Sequence, residues 1–457
     1  MPDSTLPEHA EVVVAGAGLA GLTAALHLAE RGLSPLVLEA DPARCGGRVS
    51  GGDPIEVGSW RFPAEHGLHA VWSPYRNLQA MLTRHLIRPT LVPAQEERWF
   101  YRRGGQVRWA DIGSAIRQSW IPAPFHYLNL FLRPGFLGML SPRDWLSLPL
   151  VWYGLILSVG IDPPGEDQPL EGLWLDDLVR GWSPALRALF TGLARNGLSA
   201  KPGEVPLSGF IAFLRFYTLL RRNAWAFGYL PADGDASLIE PLLRQVLACG
   251  GIVHNGIRVA KIEPSNNKHQ ITWKNKAENQ GVLHAEQVIL AVDAANARVL
   301  LLDSPALAGA AQRLYWPRGM GTAVVRLWFD RAPEPCPEAG VLSGAFILDN
   351  FFWLQRIQEP YVRWHRAVGG SAIEGHIYGP PELLAEPDAV LLAQSSAEML
   401  SVFPELHGHV IHRAIQRNDP THTLFGLGPA ERHLGIETPW PGLFCCGDWV
   451  RHPSPSF

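Results

Sequence analysis

A chain of 457 residues is long enough for two or three domains, each with a substantial apolar core. Hydrophobic residues make up 47%, charged residues only 18%, and the net charge is −4, so no global basic field argues for nucleic acid. The five cysteines (Cys45, Cys249, Cys336, Cys445 and Cys446) show neither C-x-x-C nor zinc spacing, which excludes a zinc-binding module and suits a reducing compartment.

The opening residues, Met1 to Ala10, are polar and acidic, unlike a signal or transit peptide. Val12-Val13-Val14-Ala15 then predicts a buried parallel strand. Gly16, Gly18 and Gly21 follow as G-x-G-x-x-G, with Leu19 and Ala20 at the start of a helical pattern that Gly32 closes. Pro35 to Leu38 forms the second strand, with Glu39 at its carboxyl end and Ala40 next. Gly16 allows the tight turn, Gly18 a close approach to a pyrophosphate, and Gly21 close packing of helix on strand. The helix N-terminus offers N–H groups to phosphates, and Glu39 can accept hydrogen bonds from a ribose. The pattern implies a dinucleotide without separating NAD from FAD.

The next segment separates them. Glu39 through Cys45-Gly46-Gly47-Arg48 resembles the Glu…Gly-Gly-Arg segment of the amine oxidase and phytoene desaturase superfamily of flavoproteins. That resemblance implies FAD, with Gly47 and Arg48 beside its phosphates; a guanidinium fork suits phosphate oxygens. Glu65-His66-Gly67-Leu68-His69, followed by Tyr75-x-Asn77-Leu78, is similar to a segment of plant and cyanobacterial carotene desaturases. His66, His69 and Tyr75 are therefore the candidate catalytic residues. No third ligand stands at a metal spacing, so no metal site is expected.

Arg98–Tyr101 and Gln106–Trp109 read as two short strands around Gly104-Gly105. From about 115 to 165 the chain becomes apolar and helical. Trp120, Phe125, Trp145, Trp152 and Tyr153 are interleaved with Arg117, Arg133 and Arg143. Two readings stand open: an interfacial, membrane-facing insertion, or an ordinary apolar core. Trp145 to Ile161 is the run nearest to a bilayer span, but it is short and broken by Pro149, Gly154 and Gly160. Helical patterns continue through 173–178, 184–193, 206–220 and 237–247. Two strands are expected in 252–262; the resemblance implies that this segment returns to the FAD domain and that Val259 meets the adenine.

Ala323–Phe329, Ala345–Leu348 and 370–376 alternate like antiparallel strands. The stretch Gly369-Gly370-Ser371-x-Ile373-Glu374-x-His376-x-Tyr378 is similar to a segment of carotene-ring desaturase/methyltransferases such as isorenieratene synthase. Pro441-Gly442-Leu443-Phe444-Cys445-Cys446-Gly447-Asp448 resembles the superfamily's last cofactor strand, which implies that Gly447 and Asp448 lie against the flavin side of FAD. The superfamily continues into a closing helix, so the chain is expected either to be a truncated product at Phe457 or to leave its flavin without one wall, unless another segment such as Gly369–Ser371 covers that edge.

The expected fold is α/β: a discontinuous Rossmann-like FAD domain (1–90, 230–300 and 425–457) and a mixed α+β substrate domain (91–229 and 301–424). The expected function is an FAD-dependent oxidoreductase acting on a carotenoid-like polyene at the cytoplasmic face of a membrane, with a quinone as candidate acceptor. The alternatives on the same fold are amine oxidation and a non-catalytic isoprenoid carrier of the GDP-dissociation-inhibitor type.

Overall fold

A strand buried on both faces needs apolar residues at every position, and Val12–Ala15 supplies them. In the computed structural model, which describes residues 6–103, 105–163, 170–198, 200–265 and 268–452, His9–Ala15 lies between Pro35–Leu38 and Gln280–Leu290, parallel to both. Ile252–His254 adds a parallel strand outside Pro35–Leu38. Lys268–Asn275 and Ile257–Ser265 extend the sheet antiparallel on the far side. Leu443–Cys445 then pairs in parallel with Val288–Leu290.

Alternate residues of these strands feed two cores. Val13, Leu36, Val288 and Leu290 pack towards Leu300 and Leu301. Val14 and Val37 pack on the opposite face against Leu22, Leu26, Leu242 and Val246, from helices Leu19–Ala29 and Glu240–Ala248.

The second sheet also has seven strands, in the order Val410–Thr423, Gly319–Phe329, Ser371–Ile377, Asn350–Trp353, Ala339–Ser343, Glu97–Arg103 and Gln106–Asp111. Only Ala339–Ser343 and Glu97–Arg103 run parallel. One face holds Val325, Leu327, Phe329, Ile373 and Ile377 in an apolar core. The other carries Arg326, Glu374 and His376.

The mixed α/β architecture is the one expected, with local corrections. Ala345–Leu348 is not a strand but the turn between Ala339–Ser343 and Asn350–Trp353. Its alternation arises because Phe346 and Leu348 drop into the core while the amides of Ile347 and Leu348 donate to Glu398. The hairpin at 104–105 involves Gly104, which lies outside the described residues, as do 453–457 and hence Phe457.

The apolar region is a group of helices: Gly113–Arg117, Phe125–Leu132, Pro134–Met139 and Pro142–Gly160. No helix among the described residues is long and apolar enough to cross a membrane. Pro142–Gly160 starts at Ser141, whose amide donates to the Asp144 carboxylate at 2.6 Å. It buries Ser147, Val151, Gly154 and Ser158 and leaves Trp145, Leu146, Leu150, Tyr153 and Ile156 exposed. Trp152 belongs to the inner side, against Phe131. Arg117 also turns inward, to Glu97 at 2.7 Å and the Trp225 carbonyl at 3.1 Å.

Candidate active site

One cavity of about 2090 Å³ runs between the two sheets and the helical layer. It is lined by Gly16, Gly18, Leu19, Ala20, Glu39, Ala40, Gly47, Arg48, Val259, Gly447 and Asp448, with His66, His69 and Tyr75. Of the candidate cofactor-binding and catalytic residues, Gly21 alone is not on its wall, for a packing reason. A Cβ on Gly21 would sit 2.0 Å from the Gly16 carbonyl oxygen and 3.0 Å from Ala291 Cβ. Gly16 has φ +104°, and its own Cβ would meet the Ala291 oxygen at 2.7 Å. Gly18 differs from both: nothing lies within 4 Å of its Cβ position. Backbone and open space meet there, which is what a phosphate-binding turn needs.

Glu39 fixes the neighbouring loop. Its carboxylate accepts from the amides of Ala17 at 2.7 Å and Asp41 at 2.9 Å, which leaves further lone pairs for a ribose. Gly46, with φ +113°, donates its amide to the Ala17 carbonyl, so the Gly46-Gly47-Arg48 turn is pinned to the glycine-rich loop. Arg48 Nη2 pairs with Asp448 Oδ2 at 2.6 Å. Arg48 Nη1 also stands 3.4 Å from His422 Nδ1. Burial first, and then Arg48, bring the His422 imidazole down to about 4, so this wall carries a neutral ring at neutral pH.

His66 and His69 have different partners. His66 Nδ1 lies 2.6 Å from the Ser50 carbonyl, an acceptor only, so Nδ1 carries the proton. Burial lowers its pKa, leaving a neutral ring with Nε2 as acceptor. His69 Nδ1 lies 3.4 Å from Glu65 Oε1, and Glu65 accepts the Gly234 amide at 2.8 Å. The Tyr75 hydroxyl meets that of Tyr217 at 2.6 Å, beside the stacked rings of Trp72 and Phe227.

Sequence reasoning met Glu374, His376 and Tyr378 within a resembling stretch but did not name them, or Arg326, as site residues. Buried Arg326 donates through Nε to Glu374 Oε2 at 2.8 Å and through Nη2 to the Glu65 carbonyl at 2.6 Å. Glu374 Oε1 receives the Leu68 amide at 2.6 Å and meets His376 Nε2 at 2.8 Å. Burial would raise this carboxyl, but Arg326, followed by His376 and the Leu68 amide, outweighs it and holds the pKa at about 2. His376 Nδ1 is 2.8 Å from the Tyr378 hydroxyl, and His376 and Tyr378 both line the cavity. The signal was present in the sequence: polar 374, 376 and 378 alternate with apolar 373, 375 and 377. Gly369–Ser371, expected as a cover for the flavin edge, does not reach the cavity; Ser371 is buried with its hydroxyl on the Arg331 carbonyl.

The donor set suits FAD. The open space at Gly18, the carboxylate at Glu39 and the Arg48–Asp448 pair occur along one wall. The cavity is at least about twice the roughly 300–1,000 Å³ of an ordinary small-molecule pocket, leaving room for a second molecule.

Comparison with known proteins agrees. The chain is 24% identical to a carotenoid phi-ring synthase of Chlorobaculum tepidum, over 99% of this chain and 86% of that protein. It is 27% identical to the Streptomyces griseus protein of the same name, over 97% and 84%. A 15-cis-phytoene desaturase of an Oncidium hybrid cultivar is 22% identical over 96% and 74%. Among solved structures, the cyclohexylamine oxidase of Brevibacterium oxydans shares the fold at TM-score 0.69 and 14% identity, over 97% of this chain and 94% of that one. Residues 19–454 match the family described as flavin containing amine oxidoreductase. The chain belongs to that family and is an FAD-dependent oxidoreductase.

Proposed function

We propose that the substrate is a long apolar polyene of the carotenoid class, desaturated in its chain or in its end ring. The observation that carries this reading is the wall of the cavity beyond the cofactor residues. There Trp72, Phe213, Phe216, Tyr217, Phe227 and Phe352 present rings, with Arg221 lying over Phe216. A small amine needs an anionic or aromatic cage for one cation, whereas a polyene needs an extended dry surface. The named relatives, carotenoid phi-ring synthases and phytoene desaturases, support the same class.

When bound, FAD supplies two-electron acceptance of hydride from carbon. The chain's own residues do the rest. Gly18 would offer backbone to the pyrophosphate, Glu39 would accept from the ribose, and Arg48, held by Asp448, would pair with the phosphates. The aromatic wall excludes water and aligns the polyene.

The exposed face of Pro142–Gly160 supports peripheral attachment to a membrane, the phase in which such a substrate is dissolved. Leu146, Tyr153 and Ile156 are 83%, 63% and 64% exposed, and Trp120, Phe125 and Leu132 lie nearby in sequence and are also exposed. Arg133 and Arg143 are exposed as well and suit lipid phosphates. A membrane-dissolved quinone as electron acceptor belongs to the same reading.

The test is purified flavin-loaded protein in liposomes that carry acyclic or ring-ended polyenes, with a quinone and products analysed by chromatography and mass. Products lighter by two hydrogens are expected. Flavin bleaching by simple amines, with every polyene returned intact, would overturn the reading in favour of amine oxidation.

A further inference from the structure

Removing two hydrogens as hydride and proton leaves the proton for the protein to take. Of the titratable groups on the described cavity wall, which include His66, His69, Tyr75 and Glu97, one other is backed by a buried relay. Glu374, ionised and pinned by Arg326, can only accept, so His376 Nε2 carries the proton of the 2.8 Å bond between them. His376 Nδ1 is then the acceptor of the 2.8 Å bond with Tyr378, and the phenol donates to it. Asn350 Nδ2 reaches the same hydroxyl at 3.4 Å, on its lone-pair side. A backbone amide, that of Tyr378, donates to Asp349 at 2.7 Å and holds the end of the strand in place. Carboxylate, imidazole and hydroxyl thus stand in line, and because both ring nitrogens of His376 are engaged, the hydroxyl is the end that a molecule in the cavity can use. The geometry is that of a base-activated hydroxyl.

We propose that Tyr378 is a catalytic residue that takes the proton from the polyene, with His376 and Glu374 as positioning residues behind it. This rests on the polyene reading above. With hydride taken from one carbon by the flavin that the site would hold, a C–H bond on the neighbouring carbon breaks and its electron pair becomes the new C=C bond. The proton goes to Tyr378 Oη as the phenol's own proton passes to His376 Nδ1. The resulting imidazolium is neutralised by Glu374 and returns its proton to water between turnovers. Gly67 is part of the arrangement: a Cβ there would stand 3.2 Å from His376 Cε1, so the loop carrying His66 and Leu68 closes directly on the ring.

The experiment uses flavin-loaded protein in liposomes with the polyene that the wild type converts, in H₂O and D₂O. Tyr378→Phe removes one oxygen and is expected to slow product formation by about 10²–10⁴-fold, with the solvent isotope effect abolished. Flavin content and thermal midpoint should stay at the wild-type values. His376→Gln should lose the isotope effect in the same way. Wild-type rate and isotope effect in Tyr378→Phe would overturn the inference. Loss of the effect in His66→Gln alone would do so too, assigning the proton to His66. Loss of flavin or fold in Tyr378→Phe would make the network a scaffold and equally overturn it. A flavin-loaded wild type that converts no polyene overturns the parent reading, and this one with it.

Discussion

The amide of Leu68 donates to Glu374 at 2.6 Å across 306 residues of sequence. This bond ties the Glu-His-Gly-Leu-His loop to the polar face of the second sheet, where Glu374 is shared with Arg326 and His376. A carboxylate so placed orders two separate parts of the site at once.

Its ionisation also sets an acid limit on stability. The folded pKa is about 2 against an ordinary 4.5, so the unfolded chain binds more protons between those values and stability falls as pH drops through that window. The shift is worth on the order of 3 kcal/mol, present in full above about pH 5. Glu374→Gln should flatten this acid limb and also destabilise the protein at pH 7 by about 3–5 kcal/mol, because Arg326 is left buried without its counter-charge. Urea unfolding at pH 7, 4.5 and 3 measures both, and parallel curves for variant and wild type would refute the assignment.

The glycines predict a contrast. Gly21→Ala forces a methyl to within 2.0 Å of the Gly16 oxygen and should cost about 1–3 kcal/mol of stability. Gly18→Ala meets only open space and should leave stability unchanged, yet weaken FAD at least about tenfold by occupying the phosphate approach. Thermal melts of the apoprotein and flavin titrations distinguish the two; equal FAD affinity in Gly18→Ala and wild type would remove the phosphate from that turn.

Glu39→Ala and Asp448→Ala should each weaken FAD by roughly ten- to hundredfold, the worth of a charge-assisted hydrogen bond of about 1.5–3 kcal/mol. Arg48→Ala should match Asp448→Ala, and the double variant should lose less than the sum because the two side chains act as one pair. Strict additivity in fluorescence titrations would show that they act separately.

For the membrane surface, Leu146→Ser, Tyr153→Ser and Ile156→Ser together should move the protein off floated anionic vesicles without lowering its thermal midpoint. Trp152→Ser should instead destabilise it by about 1–3 kcal/mol, since that ring packs on Phe131. Wild-type protein that stays with the soluble fraction would leave this face without a lipid role.

What the sequence revealed and what it hid follow from the range of the interactions. Val12–Ala15, the three glycines and Glu39 form a local pattern, with strand, turn, helix and acid within thirty residues, so periodicity and turn chemistry were enough to read it. Gly67 and His376 also stood in recognisable stretches, but nothing local shows that the loop of one closes on the ring of the other. Arg326 looks like any strand arginine until the fold places it under Glu374 and the Glu65 carbonyl. Ala345–Leu348 failed for the opposite reason: a buried turn needs the same apolar alternation as a strand, and only the distant Glu398 carboxylate distinguishes them. Arg117 could not be placed from local sequence because its partner, Glu97, lies on a strand rather than on the same helix face.

The Arg48–Asp448 pair joins residues separated by 400 positions. A ribosome working at about 5–20 residues per second needs roughly 20–80 s to get from one to the other. Through that interval the glycine-rich turn, Glu39 and Arg48 are already outside the exit tunnel, while the strand that brings Asp448 does not yet exist. Nascent chains stalled before Leu443 should therefore hold flavin more weakly than chains carried past Asp448, and the cofactor should add its full stabilisation only once that pair can form.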